Sequence, residues 1–135
     1  PAWDSLERIC YRAIDGVAGT LGGSPVIELT IPDTARATEW PAAVTTCLIE
    51  SVLLSHLAGR KTGMVTRIDT TPAEEALQVD VTTLTESAGT RLDFDPDWRR
   101  YVQAFAARMP TKVTLDQTVQ SDGLHSRLLM PLLRG

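Results

Sequence analysis

Apolar residues recur at helical spacing from the start of the chain. Leu6, Ile9, Ala13, Ile14 and Val17 share one face, Trp3 extends it backwards, and Glu7, Arg8, Arg12 and Asp15 fill much of the rest. A helix is expected over Trp3 to Thr20. "GTLGGSP" ends it, because glycine supports left-handed caps and proline stops continuation. "VIELTIP" alternates as a strand closed by Pro32, and "DTARATEWP" reads as a connection whose Pro41 suits a first helical turn. "AAVTTCLIESVLLSHLAG", residues 42–59, is apolar over most of a helical circumference and is expected to be sandwiched between other elements. "GMVTRIDTT" and "ALQVDVTTL" read as strands joined by "PAEE", with Leu77, Val79, Val81 and Thr83 on one side. "TESAGTRLDF" is loosely patterned loop with a short edge piece.

"DPDWRRYVQAFAARM" gives the clearest helix. Asp95 can cap it and Pro96 fits its first turn. Trp98, Tyr101, Val102, Phe105, Ala106 and Met109 form its expected buried stripe, and Pro110 stops it. "KVTLDQTVQ" and "GLHSRLLMPLL" close the chain as strands around the turn signal "SDG". Val113, Leu115 and Gln117 share a face in the first, and Leu124, Ser126, Leu128 and Met130 in the second. The order of elements predicts an α/β (α+β) two-layer sandwich: a mixed, mostly antiparallel five-stranded sheet with helices on one face.

Composition narrows the function classes. The 135 residues suffice for one domain with a sizeable core. A formal net charge of -4 argues against a sequence-independent grip on nucleic acid. No apolar run is long enough to span a bilayer and no signal-peptide pattern opens the chain, so neither a membrane nor export is expected and the cytoplasm is the default. The chain opens at Pro1, as expected of a processed product or of a domain from a longer protein. Cys10 and Cys47 lie in apolar helical patterns and read as buried free thiols.

Candidate chemistry is sparse. No metal-ligand spacing, nucleophile elbow or phosphate-loop lysine appears, and neither a metal nor another cofactor is expected. His56, near the end of the central helix, is expected to interact with the last carbonyls. Glu50 precedes it by six residues and so lies on a different side. His125 and Arg127 share a strand face, read either as a solvated face or as a recognition edge. "DFDPDWRR" places Asp93, Asp95 and Asp97 like the start of a calcium loop, but Trp98 stands where the glycine is needed.

The layout resembles a known family. "VIELTIPDTARATEWPAAVTTCLIESVLLSHLAG" resembles the opening of the histidine-kinase-type ATPase (GHKL, Bergerat-fold) domain, and the resemblance runs over residues 24–133. It implies a central helix with an acid followed four residues later by an asparagine that helps bind magnesium ATP. Glu50 stands at the place of the acid and Leu54 at that of the asparagine. The adenine-reading aspartate and its glycines would fall in "TTLTESAGT", where Glu86 is the acid and Gly89 the glycine, and the glycine-rich lid is missing. "RRYVQAFAARM" resembles the helix after the lid.

The chain is similar, too, to the C-terminal half of histidine phosphotransferases, which is a degenerate kinase ATPase domain. On that resemblance residues 1–22 are an N-terminal helix, remnant or linker of a preceding domain, and residues 23–135 are the ATPase-like domain. The function implied is a non-catalytic, nucleotide-free interaction or scaffold domain in bacterial two-component signalling. The partner would be a response regulator, a neighbouring sensor domain or a second copy of the chain. Trp3, Arg8, Tyr11 and Arg12 are the candidate contacts. Two alternatives stand beside it: a divergent magnesium-ATP-binding kinase domain with Glu50 as general base, and a small-molecule sensor with a pocket between helices and sheet.

Overall fold

The computed structural model describes residues 2–23, 25–59, 64–85 and 92–133. The chain runs β1 (Trp3–Ser5), α1 (Leu6–Leu21), β2 (Ile27–Thr30), α2 (Asp33–Arg36), β3 (Glu39–Pro41), α3 (Ala42–Leu57), β4 (Met64–Ala73), β5 (Ala76–Thr85), α4 (Pro96–Ala107), β6 (Thr114–Gln120) and β7 (Gly123–Pro131). Five strands form one sheet in the order β2-β4-β5-β7-β6, in which β2 joins β4 parallel and the other neighbours are antiparallel. The four helices pack on one face, so the two-layer sandwich expected from the sequence is the fold.

Period-two alternation decides which face the helices cover. Thr66, Ile68 and Thr70 of β4, Leu77, Val79, Val81 and Thr83 of β5, and Leu124, Ser126, Leu128 and Met130 of β7 are buried. Their neighbours Arg67, Asp80, Thr82, His125 and Arg127 lie on the open face. Gly123 begins β7 where that strand presses on β5. A Cβ there would run into the Thr83 carbonyl oxygen, so the close approach demands glycine.

α3 lies between α1, α4 and the sheet. Leu48, Ile49, Val52, Leu53 and Leu54 are sealed in the core, as expected of a helix apolar on nearly every side. Its small polar residues are buried at low cost because their hydroxyls bond within the helix: Thr46 to the Ala42 carbonyl, Ser51 to Cys47 and Ser55 to Val52, all at 2.6–2.7 Å. α1 buries Leu6, Ile9, Cys10, Ala13 and Val17 in the same core, and burial pushes the Cys10 thiol up to about 12. Asp95 caps α4 by accepting from the Asp97 and Trp98 amides.

Three expectations are corrected. Trp3 does not extend the first helix: it begins β1, and Ser5 caps α1 by accepting from the Arg8 amide at 3.3 Å. The connection after β2 contains the short helix α2 and then β3, which pairs antiparallel with β1 through Trp3–Pro41, Asp4–Trp40 and Ser5–Glu39. Trp40 anchors that pair, buried with its indole N–H donating to Thr38 Oγ1 at 2.9 Å. Tyr101 is 52% exposed instead of buried. It leans on Trp98, ring centroids 5.2 Å apart, which leaves its hydroxyl in water while the stripe of Trp98, Val102, Phe105 and Met109 faces inward. Of residues 85–94, where a short edge piece is expected, Thr85 ends β5, 92–94 form no strand and 86–91 lie outside the described residues.

Candidate functional site

The inner face of the sheet carries a polar band where a core would ordinarily be apolar. Thr66 and Thr83 are direct cross-strand partners, as are Gln117 and Ser126. His56, in the last turn of α3, is fully buried above them. Its Nδ1 lies 2.9 Å from Thr83 Oγ1 and its Nε2 2.6 Å from Ser126 Oγ. Thr83 Oγ1 continues to Thr66 Oγ1 at 2.8 Å. The Gln117 amide donates to Ser126 Oγ at 3.0 Å and to Ser55 Oγ at 3.1 Å, and its oxygen accepts from Arg99 Nε at 2.9 Å.

An amide NH2 can only donate, so the Ser126 hydroxyl accepts from Gln117. Its second lone pair and its own proton both face His56 Nε2, and the Thr83 hydroxyl can donate to or accept from Nδ1, so either ring tautomer meets these contacts. The ring ties α3 to two strands, β5 and β7. Among the described residues no buried side-chain nitrogen or oxygen lacks a partner. The expected contact of His56 with the last carbonyls of its helix gives way to these bonds, because the ring points at the sheet.

Apolar groups close the band from outside. Phe94 meets the His56 ring edge-on, centroids 5.1 Å apart at 84°, and Arg99 lies 5.4 Å over the Phe94 ring. Leu92, Phe94 and Leu124 form a small cluster joined by Met64. The Asp95 amide donates to the Ser55 carbonyl at 2.9 Å, which ties the start of α4 to the end of α3. Chemically the arrangement is a packed, hydrogen-bonded plug between the helices and the sheet.

The sequence-chosen residues fall elsewhere. Glu50 is half-buried against α1, where a Cβ on Gly16 would come within 2.7 Å of its Oε2. Desolvation there raises the Glu50 carboxyl above its ordinary range. Desolvation, reinforced by the Glu50 charge, likewise raises the Cys47 thiol. Leu54 is 0% exposed. Trp3, Arg8, Tyr11 and Arg12 are exposed together at the start of the chain, Tyr11 at 56%, and Arg12 bonds Asp4 at 3.1 Å. A hydrogen bond from the Ser5 amide, with Arg12 and Arg8 nearby, holds the Asp4 carboxyl low. Glu86 and Gly89 lie outside the described residues. Asp95 is a helix cap, and Asp97 sits in the first turn of α4.

On the open face Asp80 Oδ1 accepts from His125 Nε2 and Arg127 Nε, both at 2.8 Å, and Asp80 Oδ2 accepts from Gln78 at 2.7 Å. Burial raises this carboxyl, but the hydrogen bonds from Arg127, Gln78 and His125 outweigh it and hold the group low. His125 is therefore part of a bonded cluster on this face. Among the described residues no three His, Cys, Asp or Glu side chains gather as a metal site.

Sequence reasoning grouped Thr83, Gln117 and Ser126 on strand faces with apolar neighbours but did not connect them to His56. The signal was there in outline: three polar residues at core positions of strands, and one histidine on an otherwise apolar helix.

No family model matches the chain, and no curated protein matches it. Solved structures do. A mycobacterial sensor histidine kinase, MprB, superposes with a TM-score of 0.68 at 11% identity, over 99% of this chain and 99% of that one. The blue-light activated histidine kinase of Erythrobacter litoralis gives 0.65 at 15% identity, over 95% of this chain and 42% of that longer one. A histidine kinase from Burkholderia phymatum gives 0.65 at 12% identity, over 98% of this chain and 71% of that one. The chain thus has the fold of histidine-kinase catalytic domains, the GHKL or Bergerat fold.

That fold raises the question of magnesium ATP, and Leu54 does not fit it. Magnesium needs oxygen ligands. Leu54, at the position implied for the metal-binding asparagine, offers none and is sealed in the core. Glu50, at the place of the acid, abuts Gly16 of α1.

Proposed function

We propose that this chain is a nucleotide-free interaction domain of two-component-type signalling, acting in the cytoplasm. On this reading it keeps the scaffold of a kinase ATPase domain and has lost the chemistry. The observation that carries it is Leu54: a wholly buried leucine occupies the position that the fold resemblance assigns to a magnesium-binding asparagine. The hydrogen-bonded plug around His56 supports it, because those polar groups already satisfy one another and offer a ligand little.

The partner is a protein, a response regulator or a neighbouring sensor domain, met through Trp3, Arg8, Tyr11 and Arg12. Exposed tryptophan, tyrosine and arginine side chains are the types that anchor protein interfaces. The deciding experiment is titration calorimetry with ATP, with and without magnesium. The expected result is no saturable heat at millimolar nucleotide. A stoichiometric binding heat that vanishes in Glu50→Gln would instead establish the divergent kinase.

A further inference from the structure

The sheet has two edges, β2 and β6. β2 is only four residues long and is bracketed by Pro25 and Pro32, which blunt it against pairing. β6 is different. Its seven residues contain no proline, and they pair with β7 one to one, without a bulge, from Thr114–Leu129 to Gln120–Gly123. Of the usual guards it carries only one charge, the exposed Asp116. Beside it, a groove of about 560 Å³ is lined by apolar Met109, Val113 and Leu115 and by polar Gln103, Thr111 and Lys112, and further along the strand Val119 stands 41% exposed.

We propose that β6 is a homodimer seam, at which a second copy of this chain adds its own β6 antiparallel and continues the sheet. The argument is register. Directly opposed residues of an antiparallel pair point to the same face. A two-fold axis normal to the sheet must therefore pass at a residue that opposes its own copy. Centred on Gln117, the pairing sets Leu115 opposite Val119, Asp116 opposite Thr118, Thr114 opposite Gln120 and, just beyond the strand, Lys112 opposite Asp122.

Leu115 then meets Val119 and the cation meets an anion, each pair occurring twice by symmetry, while Val113 falls opposite Ser121 just beyond the strand. The neighbouring registers fail. Centring on Asp116 opposes that carboxylate to itself, and centring on Val119 opposes Asp116 to Asp122. Centring on Leu115 sets Val113 against Gln117, and centring on Thr118 sets Val119 against Gln117 and Leu115 against Ser121. Gln117 itself is turned inward to Ser55 and Ser126, which leaves the centre of the seam uncrowded.

Sedimentation of the full chain over a concentration series tests this independently of any nucleotide result. A reversible dimer is expected. Val119→Lys should weaken it about tenfold, and Lys112→Glu similarly, since symmetry counts each altered pair twice. Lys112→Glu combined with Asp122→Lys should restore it. Mixing Thr114→Cys and Gln120→Cys chains, both in a Cys47→Ser background, should give a mixed disulfide on oxidation, because opposed residues lie within bridging distance. Unchanged circular dichroism would show that the variants fold. A monomer at every concentration overturns the proposal. So does a dimer indifferent to Val119→Lys and to the charge reversal, or one in which the mixed disulfide does not form.

Discussion

A single buried histidine organises the interior polar chemistry of this domain. His56 is held at both ring nitrogens, by Thr83 and Ser126, and the Gln117 amide extends the network by donating to Ser126. His56→Ala would strand hydroxyl and amide groups in the core and open a void, so a loss of about 3 kcal/mol is expected in urea unfolding. Gly123 is the other residue whose identity is forced, here by a backbone oxygen that cannot move without disturbing the β5–β7 ladder. Gly123→Ala should cost about 2 kcal/mol or more.

Elements meet with similar consequence where α1 crosses α3. Gly16 lets the two helices approach, and the Glu50 carboxyl occupies the space that a Cβ would take. Desolvation raises that carboxyl, so the native state holds its proton more tightly than the unfolded chain does. The resulting stability is fully present below the ordinary carboxyl pKa and is lost as pH rises through the higher native value. Glu50→Gln, which keeps the neutral shape, should remove this fall. Unfolding curves of the two proteins measured from acid to neutral pH should diverge as pH increases, with the glutamine variant the more stable at neutrality. Parallel curves would refute the placement.

The helices and strands that carry the fold were legible in the sequence because each spans enough residues to show a period. α3 declared its sandwiched position by being apolar on nearly every side, and β5 and β7 declared their inner faces by alternation. β1 and β3, three residues each, and α2, four residues, are too short to show any period. Tyr101 was misplaced because its spacing fits the edge of the stripe, and only the Trp98 ring beside it decides that it stays outside. The site was less legible than the fold. His56 meets partners 27 and 70 positions away, and no local spacing encodes such encounters.

At the scale of the whole molecule, the proposed loss of nucleotide binding can be tested without choosing a site. A ligand that binds only the folded state at a hundredfold excess over its Kd adds about 2.7 kcal/mol of stability, which raises a melting midpoint by several degrees. Melting therefore reads nucleotide binding through the entire fold, whichever residues make the contact. The midpoint is expected to stay fixed in millimolar magnesium ATP. Leu54→Asn sharpens the test. If one side chain were all that had been lost, asparagine at this position would recover a nucleotide-dependent rise. Leu54 is enclosed by the core, so its replacement should instead bury an amide and lower the midpoint by an amount worth about 3 kcal/mol, with or without nucleotide. A rise with magnesium ATP, in either protein, would mean that the interior opens to admit it and that the scaffold reading is wrong.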